Sequence, residues 1–232
     1  MNGHDDLIAR HETILATQRR PRFILRATPT ELNSIRLTRT RDEARWIADQ
    51  IVQLEIFGPG LKNYDLIPTI AHGDYYYFFM GETDNPISYA KILNNGTFEY
   101  SAPAFTPIGF DVYPEMVFGY FLDFLGFSRA LLRRFGYAAA FSVSIDLRNV
   151  GGVAARISNP SDWRPIAPNL ITIPADVSVS ESFIANQIDT NRLRWVLNRF
   201  ISAVGISGHS QDTVLPGDWD ARLNRFVSNP SA

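Results

Sequence analysis

A histidine and an aspartate near the middle of the sequence have the chemistry of an acid–base pair. His72 and Asp74 are separated by one glycine and precede a run of tyrosines at 75–77. Alternate residues of a strand share one face, so the two side chains lie together if the strand begins at His72. This spacing makes them the candidate catalytic residues of a hydrolase or nuclease. The competing interpretation is a loop histidine beside a turn aspartate.

Other catalytic and metal-binding arrangements find little support in the residue types. The chain has no cysteine, which excludes disulfides, thiolate zinc sites and cysteine nucleophiles. The sequence contains neither a G-x-S-x-G nucleophile elbow nor a Gly-rich phosphate-binding loop. His4 and His11 lie about 10 Å apart along a predicted first helix, too far for one metal ion. Glu99 and Asp146 could act together only if their strands are neighbours. We therefore predict no metal site and no cofactor.

Arginines are concentrated in the N-terminal third of the chain, where Arg19, Arg20, Arg22 and Arg26 follow one another closely. Such a cluster can contact the phosphates of a nucleic acid. Acidic residues in the same third dilute the positive charge, and the formal net charge of the chain is −2. No global attraction to nucleic acid or to an anionic membrane is therefore expected. A nucleic-acid-binding module built on these four arginines is one alternative function.

Hydrophobic spacing and turn signals predict the elements that must position these residues. Helices are predicted at 5–18, 41–56, 113–135 and 218–227, with another that ends at Val204 and is capped by Ser180 or Thr190. Strands are predicted at 22–27, 75–80, 87–93, 97–101, 141–147, 153–157, 170–173 and 177–179, with 153–157 pairing back on 141–147. Clustered hairpins with interspersed helices favour an α+β fold, a mostly antiparallel sheet with helices packed on it.

The strongest core signal is the stretch 113–147, which reads as a long apolar helix, a tight turn at Gly136 and a strand. Apolar residues surround most of the first half of the helix. This pattern predicts a helix enclosed between the sheet and another helix or a partner protein. Phe118, Tyr120 and Phe127 are therefore the candidate partner-binding residues, and the partner is another protein or a second copy of the chain.

Length and composition indicate one compact domain. The chain has 232 residues, of which 45% are hydrophobic and 20% charged, as in ordinary globular proteins. The domain is expected to span 1–232, with any sub-boundary in the proline-rich loop 158–169. No signal peptide is recognised, and Asp123 and Arg129 interrupt the most apolar run, 116–132. A cytoplasmic protein without a membrane span is expected.

Four short strings give the chain a family resemblance. They are Arg20-Pro21-Arg22-Phe23 and the residues up to Pro29, the turn Asn94-Asn95-Gly96-Thr97-Phe98-Glu99, Phe135-Gly136-Tyr137, and 142–147 before Gly151-Gly152. Together they resemble the region downstream of the DNA-binding domain in bacterial AlbA-like, Schlafen-related proteins. The Gly-rich N-terminal domain of that family is not recognised here, so no functional residue carries over. The resemblance implies an accessory region with a sensing or assembly role in a bacterial antiviral defence complex.

The missing catalytic motifs, the aromatic helix and this resemblance point to the same function. The chain is predicted to be a non-enzymatic accessory protein that docks on a partner carrying the catalytic activity. The hydrolase or nuclease at His72 and Asp74 and the nucleic-acid-binding module are the two alternatives.

Overall fold

A computed structural model describes residues 3–31, 35, 37, 40–53, 67–69, 75–82, 84–104, 112–155, 171–205, 219–224 and 226. In chain order the elements are α1 (Gly3–Thr17), β1 (Arg22–Pro29), α2 (Arg41–Gln53), β2 (Ile67–Thr69), β3 (Tyr75–Glu82), β4 (Asn85–Leu93), β5 (Phe98–Pro103), α3 (Pro114–Arg134), β6 (Ala140–Arg148), β7 (Ala154–Ala155), β8 (Ile171–Thr172), β9 (Val177–Ile184), α4 (Thr190–Ala203) and α5 (Trp219–Asn224). None of the described helices has the length and apolar character needed to cross a membrane.

Seven strands form one sheet in the order β2-β3-β4-β5-β1-β6-β9, and each neighbouring pair is antiparallel. β1 is inserted between β5 and β6, although it precedes both in the chain. Its alternation suits this inner position, because Phe23, Leu25 and Ala27 are buried on one face while Arg22, Ile24 and Arg26 point to the other. The predicted α+β fold with a mostly antiparallel sheet is confirmed.

The helix α3 packs on one face of the sheet and forms the centre of the main core. Pro114 stands in the first turn, where its missing N–H is not needed. Gly136 follows the helix at φ +73°, a left-handed conformation that favours glycine. The ring of Phe98 in β5 stacks on Phe124 with centroids 4.7 Å apart and meets Phe127 edge-on at 4.7 Å. The predicted core helix and its glycine turn are confirmed.

A glycine in α3 allows α5 to lie directly against the helix. A Cβ atom at Gly126 would be 2.5 Å from the carbonyl oxygen of Leu223, closer than real Cβ atoms approach a backbone atom. This close contact buries Leu223 and Phe226 in the main core. The backbone approach therefore depends on the missing side chain at position 126.

The helix α1 covers part of the opposite face of the sheet. A small apolar cluster joins it to β3 and β4 and consists of Ile8, Leu15, Tyr77, Phe79 and Tyr89. His11 is fully buried beside this cluster, with its Nδ1 3.1 Å from the Tyr77 hydroxyl and its ring edge-on to Phe79. His11 is thus a packed residue of the contact between α1 and the sheet. Beside this cluster the same face carries the polar side chains of β1, β5 and β6.

The strand β9 is longer than the predicted strand at 177–179, and neither of the two predicted caps, Ser180 or Thr190, is the N-cap of α4. The alternation of β9 continues because Glu181 takes a position on the core face, where its Oε1 lies 3.5 Å from Nη1 of Arg192. The cap of α4 is Asp189, whose carboxylate accepts a hydrogen bond from the Asn191 amide at 2.8 Å. Because Glu181 is a charged residue at a core-side position, the sequence pattern does not predict that the strand continues beyond residue 179.

The predicted pairing of 153–157 with 141–147 is also wrong. β7 pairs with β8 in a separate two-stranded sheet, whereas β6 pairs with β1 and β9. Both sides of β6 are therefore occupied by strands that are distant from it in sequence.

Candidate functional site

A cleft of about 440 Å³ lies between α1 and the polar face of the sheet. Its volume falls in the range of about 300–1,000 Å³ that is usual for small-ligand sites. The lining residues come from α1, from alternate positions of β1, β4 and β5, from the last residue of β6 and from two turns: Glu12, Leu15, Ala16, Arg22, Ile24, Arg26, Tyr89, Lys91, Glu99, Ser101, Arg148, Asn149 and Asp176. We call this region the α1–sheet cleft.

The antiparallel register sets the charged side chains of the cleft in a row across three strands. Lys91 of β4 is opposite Glu99 of β5, and Glu99 is opposite Arg26 of β1. Directly opposed side chains of an antiparallel pair lie close together on one face, and opposite charges there attract. Lys91 and Glu99 belong to one hairpin, whereas Arg26 is 73 residues from Glu99 in sequence and joins the row only through the pairing of β1 with β5.

The Glu99 carboxylate is the centre of this row. It accepts hydrogen bonds from Arg26 Nε at 2.6 Å and from the Tyr89 hydroxyl at 2.6 Å, and Lys91 Nζ lies 3.1 Å from it. Lys91 also contacts Glu12 of α1 at 2.6 Å. Glu99 is only 3% exposed, and a buried carboxylate needs such partners to offset the loss of water. The network ties α1 to the three strands that form the floor of the cleft.

This network favours the charged forms of Glu99 and Lys91. Burial alone would raise the pKa of Glu99, but the Tyr89 hydrogen bond and the cations of Lys91 and Arg26 outweigh it and keep that pKa below its ordinary value. Burial alone would lower the pKa of Lys91, but Glu12 and Glu99 raise it overall. A carboxylate with a lowered pKa is a weak base, and an amine with a raised pKa is rarely a neutral nucleophile. The chemistry of the row therefore suits binding better than proton transfer.

Arg22 differs from Arg26, Lys91 and Arg148, the cations of the cleft that contact a carboxylate. It is 6% exposed, and its guanidinium donates from Nε to Ser101 Oγ at 3.0 Å and from Nη2 to the Ile87 carbonyl oxygen at 3.0 Å. No carboxylate among the described residues lies within ion-pair distance of it. Burial lowers the pKa of Arg22, although a guanidinium stays charged at neutral pH. Its cross-strand neighbours are Pro103 on β5 and Arg148 on β6.

The predicted catalytic pair, His72 and Asp74, lies outside the described residues. Glu99 and Asp146, the conditional metal ligands, are on strands that are not neighbours, because β1 lies between β5 and β6. Within the described ranges no group of three or more histidines and acids is placed to hold a metal ion. The condition set for the carboxylate pair is therefore not met.

The four arginines proposed to contact nucleic acid divide into two pairs. Arg19 and Arg20 are exposed between α1 and β1. Arg22 and Arg26 belong to the α1–sheet cleft, and Arg26 is engaged by Glu99. Two of the four arginines thus lie outside the cleft, and only Arg26 belongs to the Glu99 network.

The three aromatic residues proposed to bind a partner are used within the chain. Phe118 and Phe127 have no exposed surface, and Phe127 meets Phe98 of β5 on one side and Phe226 on another. Tyr120 is partly buried and stacks on Phe23 of β1 with centroids 5.4 Å apart. The apolar pattern of the helix allows these rings to be covered either by the chain itself or by a partner protein. In the structure they pack against the sheet and against Phe226 of the same chain.

Sequence reasoning missed Tyr89, Lys91 and Ser101 as site residues. Their signal is weak but physical, since each is a polar residue alternating with buried ones in a strand, as Lys91 does between Ala90 and Ile92. Such alternation is also typical of a solvated sheet face. Comparisons with protein-family models, with curated protein sequences and with solved structures give no significant match.

Proposed function

We propose that this protein is a non-enzymatic accessory protein that docks on a partner protein through the α1–sheet cleft. The observation that carries the proposal is the ion network around the buried Glu99, which fixes charged groups at the floor of an open cleft. Preorganised polar groups in a concave site provide orientation and specificity for a bound partner. The proposed interface leaves out the aromatic face of α3, where Phe118 and Phe127 are buried in the core.

The electrostatics of the cleft support binding rather than catalysis. General acid–base catalysis uses groups whose pKa values are moved towards neutrality. The pKa of Glu99 is lowered and the pKa of Lys91 is raised, so both move away from neutrality. The resemblance to the accessory region of AlbA-like, Schlafen-related proteins adds the hypothesis that the partner carries the activity, in a bacterial defence complex.

A nucleic-acid-binding module is the second candidate, favoured by one contact. Nδ2 of Asn149 donates to the Gln18 carbonyl oxygen at 3.1 Å and is 3.4 Å from that of Arg20. This contact holds the segment with the exposed Arg19 and Arg20 beside the end of β6. Binding of DNA or RNA that weakens steeply with salt would favour this candidate.

Blocking the cleft without changing its charge tests the first proposal. Ala16 is exposed on α1 and lines the cleft, whereas Ala9 is exposed on the same helix away from it. In the native host, a tagged wild-type chain and the Ala9→Trp control are expected to co-purify with the same partner, and Ala16→Trp is expected to lose it. The proposal fails if the wild-type chain is recovered alone and monomeric under mild conditions, or if Ala16→Trp retains the partner.

A further inference from the structure

The buried guanidinium of Arg22 contrasts with Lys91, a partly buried cation of the same cleft. Lys91 contacts the carboxylates of Glu12 and Glu99. Arg22 is at least as enclosed, at 6% exposure, and contacts only a hydroxyl and a carbonyl oxygen. A buried charge is costly unless an opposite charge compensates it. The described structure supplies that compensation to Lys91 and not to Arg22.

The hydrogen bonds of Arg22 leave donors directed at the cleft. A guanidinium has five N–H donors, and the two contacts of Arg22 use Nε and Nη2. Nη1 has no acceptor among the described residues, while the side chain lines the cleft. The contacts to Ser101 and Ile87 hold the plane of the guanidinium in place. The remaining N–H donors are therefore fixed in position before any acceptor binds.

A second arginine stands directly across from the first. Arg22 and Arg148 are opposed in the register of β1 and β6, and like charges in opposed positions repel. Arg148 is half exposed and has one long contact, 3.5 Å to Asp146 of its own strand. Asp176, on the same cleft, accepts a hydrogen bond from the Val150 amide and has no ion pair with either arginine. An anion between the two guanidinium groups would relieve the repulsion.

We propose that Arg22 and Arg148 form a binding site for one oxyanion, a carboxylate or a phosphate group. Guanidinium groups bind both through paired N–H···O hydrogen bonds. The inference rests on the proposed docking function, since the oxyanion is the group by which the cleft recognises its partner. The chemistry of the site is the same whether an acidic side chain or a phosphorylated residue supplies it.

Titration of the purified chain with small anions tests the site. Inorganic phosphate, sulfate and acetate are added at constant ionic strength against sodium chloride, and binding is followed through the Arg22 Nε–Hε signal in NMR spectra and by calorimetry. We expect saturable binding that is roughly tenfold or more weaker in Arg22→Met and in Arg148→Met, and unchanged in Arg194→Met, an exposed arginine of α4. Acetate against phosphate distinguishes a carboxylate from a phosphate source.

Two results overturn the inference. One is that none of the three anions binds more tightly than chloride to the wild-type chain. The other is that Arg148→Met, which removes a half-exposed side chain with one long ion-pair contact, binds as the wild type does. Loss of the partner in Ala16→Trp together with unspecific anion binding would refute the anion site alone. Saturable anion binding together with partner capture by Ala16→Trp would refute the docking proposal alone.

Discussion

Replacing Gly126 by alanine should detach α5 from α3. The new Cβ would lie 2.5 Å from the Leu223 carbonyl oxygen and 3.2 Å from a ring carbon of Phe226. The first of these is a backbone atom and cannot turn aside, so the segment has to shift. Leu223 and Phe226 are 3% and 5% exposed, and each such side chain contributes about 1.5–3 kcal/mol by burial. Their release costs about 3–6 kcal/mol, and alanine returns about 1 kcal/mol in helix propensity.

The expected net effect is a loss of about 2–5 kcal/mol in the free energy of unfolding. Gly119 is a matched control on the same helix, seven residues earlier. A Cβ at Gly119 would lie 3.3 Å from Nη1 of Arg222, the far end of a flexible side chain that can move. Gly119→Ala is therefore expected to be neutral or to stabilise the chain by up to about 1 kcal/mol.

Urea denaturation of the two variants and the wild type measures the free energy of unfolding, and amide hydrogen exchange of α5 shows where the change lies. Gly126→Ala should unfold at lower urea and lose protection in α5, while Gly119→Ala should do neither. The reasoning is refuted if both variants have the stability of the wild type and α5 stays protected in both. Equal losses in both variants would show that the helix, and not the close backbone contact, is sensitive.

Two further predictions concern the cleft. Because the folded chain lowers the pKa of Glu99, the stability from its carboxylate is present above the ordinary glutamate value of about 4.3 and is lost as the pH falls below it. Glu99→Gln should flatten this acid-side loss in a series of melting temperatures, and at neutral pH it should cost about 2–4 kcal/mol because Lys91 and Arg26 lose a shared partner. Parallel pH profiles would contradict this. Pro103→Glu places a carboxylate across from Arg22 and should weaken phosphate binding in calorimetry; unchanged affinity would speak against the anion site.

Local patterns were sufficient for most of the elements. The turn at Gly96, with φ +79°, joins β4 and β5 as the Asn-Asn-Gly signal predicts. Thr40 and Glu43 have the spacing of a capping box, and its first hydrogen bond is present before α2, since the Glu43 amide donates to Thr40 Oγ1 at 3.2 Å. The Glu43 side chain, however, accepts from the Tyr76 hydroxyl at 2.7 Å. The sequence identifies the local cap, whereas a distant strand decides where the carboxylate points.

Long-range pairing was not predictable from the same patterns. Residue alternation shows that β1, β5 and β6 are strands, but their alternation is equally compatible with several orders and registers. The insertion of β1 between β5 and β6 separates Glu99 from Asp146 and brings Arg26 to Glu99. The cleft depends on this order, so its residues could be recognised individually as polar strand positions but not as one site.

Register also explains why two arginines of one strand have different roles. Arg22 and Arg26 are four residues apart and point to the same face of β1. Arg26 is opposed by Glu99 on β5, while Arg22 is opposed by Pro103, which offers no charge and no side-chain acceptor. On the other side, Arg26 faces Ser144 and Arg22 faces a second arginine, Arg148. The sheet therefore neutralises one guanidinium and leaves the other with its charge directed at the cleft, and a difference of that kind has no trace in residue type or spacing.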